Sequence, residues 1–292
     1  MRYSVIFVIL IAASSIMIED STLRYPLWFS IFFNSLMTAA IFNLLCAGRI
    51  RRTYAACAKH KALSLRMMFF TLLIYTLCFF STERIGASNY NSFYFAGSAI
   101  LGRWFMKARG AARKANAGAA AALLVLCADY GFYICAGADC AAARMSGIFW
   151  AVIGSASGYL YAVDSSKLAK LAALSANQLL ALRFNLLLVF SFFLLPADTA
   201  SYISPKSMGY MLALAATGTA LPVYFLQRGI SAAGAETNAV ITAFIPFLTT
   251  VLSIIFYGTF NAGEAIFVLA LTALLAAPML AEHFYKKEIT KP

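Results

Sequence analysis

Polar side chains that recur every three or four residues inside long apolar stretches are where this chain could do chemistry. On a helix that spacing gathers them onto one face. Ser30, Asn34 and Thr38 form one such stripe, Thr71, Tyr75, Cys78 and Thr82 a second, and Asn91, Tyr94 and Ser98 a third. Further along come Trp150, Gly154, Ser157, Tyr161 and Asp164, then Thr217 and Tyr224, then Asn238, Thr242, Thr249 and Ser253. Groups that are costly in lipid usually face the interior of a helix bundle, where they can replace the hydration of a passing solute. Asn34, Tyr75, Tyr94, Trp150, Tyr224 and Asn238 are the large members of these stripes, and amide donors with aromatic walls suit an amphipathic or planar small molecule. The Ser, Thr and Gly members fit a plainer role, letting membrane helices approach and hydrogen-bond.

Acidic residues within the apolar stretches are few, so each can be weighed singly. Glu19 shares a helical face with Ser15 and Thr22 at the end of the first stretch, where it could attract a cationic solute or take up a proton. Asp129, beside Tyr130, is flanked by apolar residues; isolated in hydrocarbon it would be neutral or paired, which makes it a second candidate for proton coupling or a structural hydrogen bond. Asp164 and Glu236 sit at stretch ends within reach of Lys167 and Arg228, and salt links are expected there. His60 and His283 lie in basic segments and the six cysteines show no metal-ligand spacing, so neither a metal nor another cofactor is expected. No Gly-rich phosphate loop occurs, which speaks against direct use of ATP. Scattered carboxylates and scarce histidine also give little support to a polytopic membrane enzyme acting on lipid.

These residues must be positioned by membrane helices. A chain that is 62% hydrophobic and 12% charged is far from the soluble balance. Ten apolar runs can be read, at 3–18, 27–47, 67–82, 87–102, 115–137, 146–164, 179–196, 208–226, 237–257 and 265–281. Every second gap, together with the two termini, holds the basic residues, with the exception of Arg24, Arg84, Arg144 and Lys206 in the other gaps and Arg183 inside a run, near its proposed cytoplasmic end. By the positive-inside rule both termini are cytoplasmic and the chain crosses an even number of times. The net charge of +12 is thereby explained by topology and by contact with anionic lipid headgroups, and a nucleic-acid partner is not expected. The first run leads into Glu19 and Asp20 instead of a small-residue cleavage site, so it reads as a retained span. Short turns between runs suit a multi-pass protein of a bacterial inner membrane.

The expected fold is all-α: ten transmembrane helices arranged as two inverted five-helix repeats, residues 1–138 and 146–281, followed by a basic tail at 282–292. Five spans per half oblige the second half to enter the membrane upside down. Residues 218–231, Gly-Thr-Ala-Leu-Pro-Val-Tyr-Phe-Leu-Gln-Arg-Gly-Ile-Ser, followed by a helix with Pro246, resemble the eighth and ninth spans of the drug/metabolite transporter superfamily, EamA type. Ala181-Leu182-Arg183-Phe184 is similar to that family's seventh-span entry, and Trp150 with Tyr159 suits its sixth. The first half departs from the pattern, with Ser98 where the family has a proline, Asn34 where it often has an arginine, and Thr259 where an acidic residue commonly follows the ninth span. The resemblance implies a secondary transporter moving a small metabolite, such as an amino acid or related organic solute, outward by alternating access, with the proton as a possible coupling ion. Translocation of a lipid or lipid-linked intermediate is the alternative, and a groove open to lipid between spans would favour it.

Overall fold

The computed structural model describes residues 2–105, 111–136, 140–226, 228, 242–258 and 260–289, and among these every regular element is helical. In chain order they are α1 (Arg2–Arg24), α2 (Leu27–Leu45), α3 (Ile50–Lys59), α4 (Lys61–Phe105), α5 (Ala111–Cys135), α6 (Ala141–Ala172), α7 (Ala176–Phe193), α8 (Thr199–Tyr202), α9 (Pro205–Leu226), α10 (Ile245–Tyr257) and α11 (Ala262–Ile289). Long apolar helices of this length and composition fit a multi-pass membrane protein. Each apolar run of the sequence falls on one of them, with α4 carrying two and the opening of the 237–257 run lying outside the described residues.

Local chemistry sets the boundaries. Pro26 cannot continue α1 and is pre-set to begin α2. Ser175 opens α7 with its N–H donated to the Gln178 side chain at 3.0 Å, and the Gln178 amide in turn donates to Thr53 of α3 at 2.9 Å. Ser204 and Ser207 make the same reciprocal cap at the start of α9, with Pro205 in the first turn. The helix α3 was not foreseen. It fills the basic gap after α2, exposing Arg51, Arg52 and Lys59 while burying Thr53, as an interfacial helix would.

At 45 residues, α4 would be about 67 Å long if straight, roughly twice a bilayer core. It is not straight. Gly86, at φ 77° and ψ 163°, breaks it into limbs 61–85 and 87–105. Both limbs lie against α6, and its glycines give the register. Gly147 faces Arg84 and Ile85, Gly154 faces Leu77 and Tyr94, and a side chain at Gly158 would collide with the Tyr94 hydroxyl. With Arg66 paired to Asp164 further along, the first limb runs antiparallel to α6 and the second parallel to it. The limbs therefore form a hairpin with Gly86 at its apex.

Two cores flank this centre. One is built on Phe29, Phe42, Phe79, Phe184, Leu187 and Met211, from α2, the first limb, α7 and α9. The other is built on Phe93, Leu123, Tyr130, Phe267 and Leu271, from the second limb, α5 and α11, with the Tyr130 and Phe267 rings stacked at 3.9 Å. α6 touches both limbs, while α1 sends Ile18 into the first core and packs Phe7 and Val8 against Ile245 of α10.

Candidate functional site

α7 carries a cation into the middle of the bundle. Arg183 is only 5% exposed, and its guanidinium carbon lies 4.2 Å from the Tyr161 ring centroid, 5.2 Å from that of Phe184 and 5.5 Å from that of Tyr75. Aromatic faces attract a cation through their quadrupole, by about 2 kcal/mol when water is excluded. They do not accept its N–H groups as a carboxylate would. Among the described residues no carboxylate is within ion-pair distance of Arg183, and its Nε has no hydrogen-bond partner. The Tyr161 hydroxyl, also buried, has none either.

Three helices build this cage. The helical path of α7 is interrupted at Phe184 (φ −89°, ψ −8°), directly after Arg183. Tyr75 comes from the first limb of α4, and Tyr161 from α6 one turn before Asp164. Asp164 does not reach Lys167 as expected; it accepts from Arg66 at 3.1 Å, because the first limb brings Arg66 alongside α6. One Asp164 oxygen stays unpartnered and buried. Tyr94 lies within electrostatic reach of Arg183. Tyr75, Cys78 and Tyr94, from the two limbs of α4, are half-buried and stand near one another and Arg183.

Of the residues singled out from sequence, the structure thus brings Tyr75 and Tyr94 together. Asn34 is fully buried in α2, where its carbonyl accepts from Thr219 at 3.2 Å and its amide nitrogen is unpartnered. That links α2 to the π-helical stretch Leu214–Ala220 of α9, whose Gly218 carbonyl accepts from Ser14 of α1. Trp150 is half-buried on α6 against Phe149. Tyr224 stands at the far end of α9, where its hydroxyl accepts from Arg228 at 3.1 Å. Asn238 and Glu236 lie outside the described residues. Asp129 is exposed on the outer surface of α5, away from the cage.

Glu19 has a definite task. Its carboxylate accepts the Ala87 N–H at 3.1 Å, the first free donor of the second limb, where the helix dipole favours negative charge. Glu264 of α11 and Tyr257 of α10 lie within electrostatic reach of it. One turn further in, Asn91 donates to Ser15 at 2.8 Å and to Thr249 at 2.9 Å, and Ser88 bonds Thr250 at 2.5 Å. These hydroxyls and amides are glue between α1, the second limb and α10.

Two surface grooves lie elsewhere. One of about 390 Å³ runs between α2 and α7, lined by Phe32, Leu36, Leu188, Val189, Phe192 and Phe193. The other, about 510 Å³, lies on the outer flank of α6 by Tyr159, Lys167 and Lys170. Neither touches Arg183.

Sequence reasoning missed the cage. The available signal was that Arg183 is the one basic residue placed inside an apolar run, and intramembrane cations mark functional sites.

No family model matches the chain, and no curated protein matches it. A solved crystal structure is similar to it with a TM-score of 0.63 at 15% identity, over 94% of this chain and 96% of that one. At that identity the likeness concerns the fold alone.

Proposed function

We propose that this protein is a secondary transporter of a small organic solute, such as an amino acid, working by alternating access in a bacterial inner membrane with both termini cytoplasmic. The observation that carries the reading is the set of half-buried polar and aromatic side chains Tyr75, Cys78 and Tyr94, placed where two packed groups of helices meet. The first core draws on the second and third runs of each proposed half, and the second on the fourth and fifth. Such pairing is what two inverted five-helix repeats of the EamA type would give, and it leaves the first helix of each half, α1 and α6, between the groups. Rocking of one group against the other would open a path between them to either side in turn. Glu19 joins the groups at one end, since it ties α1 to the Gly86 break, and it is the proposed coupling residue if a proton drives export.

Among the described residues, the groove between α2 and α7 favours lipid translocation. Its lining is wholly apolar, so it can seat an acyl chain and has nothing to hold a headgroup. The solute reading is therefore preferred. It is tested by counterflow into liposomes holding the purified full-length chain: accumulation of a labelled amino acid above empty liposomes supports it, and scrambling of labelled lipid with no solute movement replaces it.

A further inference from the structure

Arg183 poses a question of charge balance that the carrier reading leaves open. A guanidinium removed from water and given no carboxylate is costly to hold. Around it, Arg66 and Asp164 form a neutral pair, so the cluster as a whole keeps a single positive charge. Its free donors are the Arg183 Nε and the Tyr161 hydroxyl. The aromatic faces are already turned to the guanidinium, so an incoming organic cation would find them occupied and be repelled. The neighbouring interior surfaces, Tyr75 and Tyr94, are broad and largely apolar.

We propose that Arg183, with the Tyr161 hydroxyl beside it, is the seat for a carboxylate group of the transported substrate, whose apolar body lies against Tyr75 and Tyr94. A carboxylate brings one negative charge to one positive charge and matches the planar fork of a guanidinium. A phosphate dianion would leave a second charge uncompensated beside a guanidinium that is itself buried. The substrate is thus a monocarboxylate or a zwitterion held by its carboxylate end. This inference rests on the carrier reading for the word substrate, and on the cage for its chemistry.

The test uses full-length protein and four probes with related bodies: phenylacetate, L-phenylalanine, phenethylamine and phenyl phosphate. Melting temperature is followed for the wild type, Arg183→Met and Arg183→Lys. Phenylacetate or L-phenylalanine should raise the wild-type melting temperature and phenethylamine should not. In Arg183→Met the carboxylate's apparent affinity should fall roughly tenfold or more, while the unliganded variant melts no lower than wild type because an unpaired buried charge has gone. Arg183→Lys keeps the charge without the fork and should fall between. A carboxylate shift that survives in Arg183→Met, an equal shift with phenethylamine, a larger one with phenyl phosphate, or no shift with any carboxylate overturns the proposal. If liposomes move a neutral or cationic solute equally well with wild type and Arg183→Met, the carrier reading stands and the carboxylate seat falls. If no solute moves above empty liposomes, the carrier reading falls first.

Discussion

Replacing Gly86 with alanine should destabilise the fold through two separable effects. At φ 77° and ψ 163° the residue occupies backbone space that is essentially closed to side chains, at a cost of about 1–3 kcal/mol. A Cβ there would also stand 3.1 Å from the Glu19 Oε1, so the carboxylate, whose Oε2 caps the helix start, must shift by a few tenths of an ångström. Losing a charge at a partly buried helix N-terminus costs about 0.5–1 kcal/mol. The cost is about 1–3 kcal/mol for Gly86→Ala, with the displaced Glu19 adding at most about 1 kcal/mol, against about 0.5–1 kcal/mol for Glu19→Gln, which retains an acceptor for the Ala87 N–H. Because both changes disturb the same contact, the double variant should be less destabilised than the two singles added together, by about 0.5 kcal/mol or more. Reversible unfolding in mixed detergent micelles, followed by tryptophan fluorescence, measures all four corners of the cycle. Additivity of the two changes would refute the claim that Glu19 caps the Gly86 break, and a Gly86→Ala cost well under 1 kcal/mol would refute the strained turn itself.

Other expectations follow from the same contacts. Arg66→Met should destabilise more than Asp164→Asn, by about 1 kcal/mol or more, because Arg66 is 60% exposed and Asp164 only 4%, so the carboxylate left alone cannot rehydrate; the reverse order in micelle unfolding would mean that the pair contributes nothing. Transport measured across a pH series should lose its pH dependence in Glu19→Gln and keep it in Asp129→Asn, since Asp129 faces outward from α5; a pH profile unchanged in both variants would remove Glu19 as the coupling residue. Asn34→Leu should cost about 1–3 kcal/mol, because it leaves the buried Thr219 hydroxyl without its acceptor, and the paired change with Thr219→Val should cost less than the two singles added; additivity in micelle unfolding would show that the bond contributes nothing.

What the sequence made legible was mostly one-dimensional. Hydropathy places the runs 67–82 and 87–102 on either side of Arg84 and Gly86, and the structure puts its sharpest break at Gly86. Stripe spacing gathers Tyr75 with Cys78 and sets Asn91 on a buried face, both as found. Spacing could not say which stripes meet. Tyr75 and Tyr161 meet Arg183 only because the first limb of α4, α6 and α7 pack together, and no periodicity in a single helix reports that. The same limit accounts for Asp164, whose neighbour in sequence is Lys167 while its neighbour in space is Arg66. In sequence Glu19 is a carboxylate at the end of the first stretch; its bond to Ala87 depends on the register of two helices 68 positions apart. Asp129 has apolar neighbours in sequence on both sides, and which way it turns is decided by how α5 packs on the second limb and α11.

Arg183 is where topology and function separate. Cations between runs orient the chain with respect to the membrane, and their number matters more than their partners. A cation buried within a run, as Arg183 is, carries in addition a desolvation cost of several kcal/mol. Three aromatic rings offset part of that cost without supplying an acceptor for the Nε. Had stability alone shaped this position, an apolar residue packed among the same rings would serve better, and Leu180, Leu182 and Leu187 of the same helix show how readily α7 accommodates one. The residual charge is intelligible when a ligand completes it, which is why the stability of Arg183→Met without ligand and its loss of carboxylate binding should move in opposite directions.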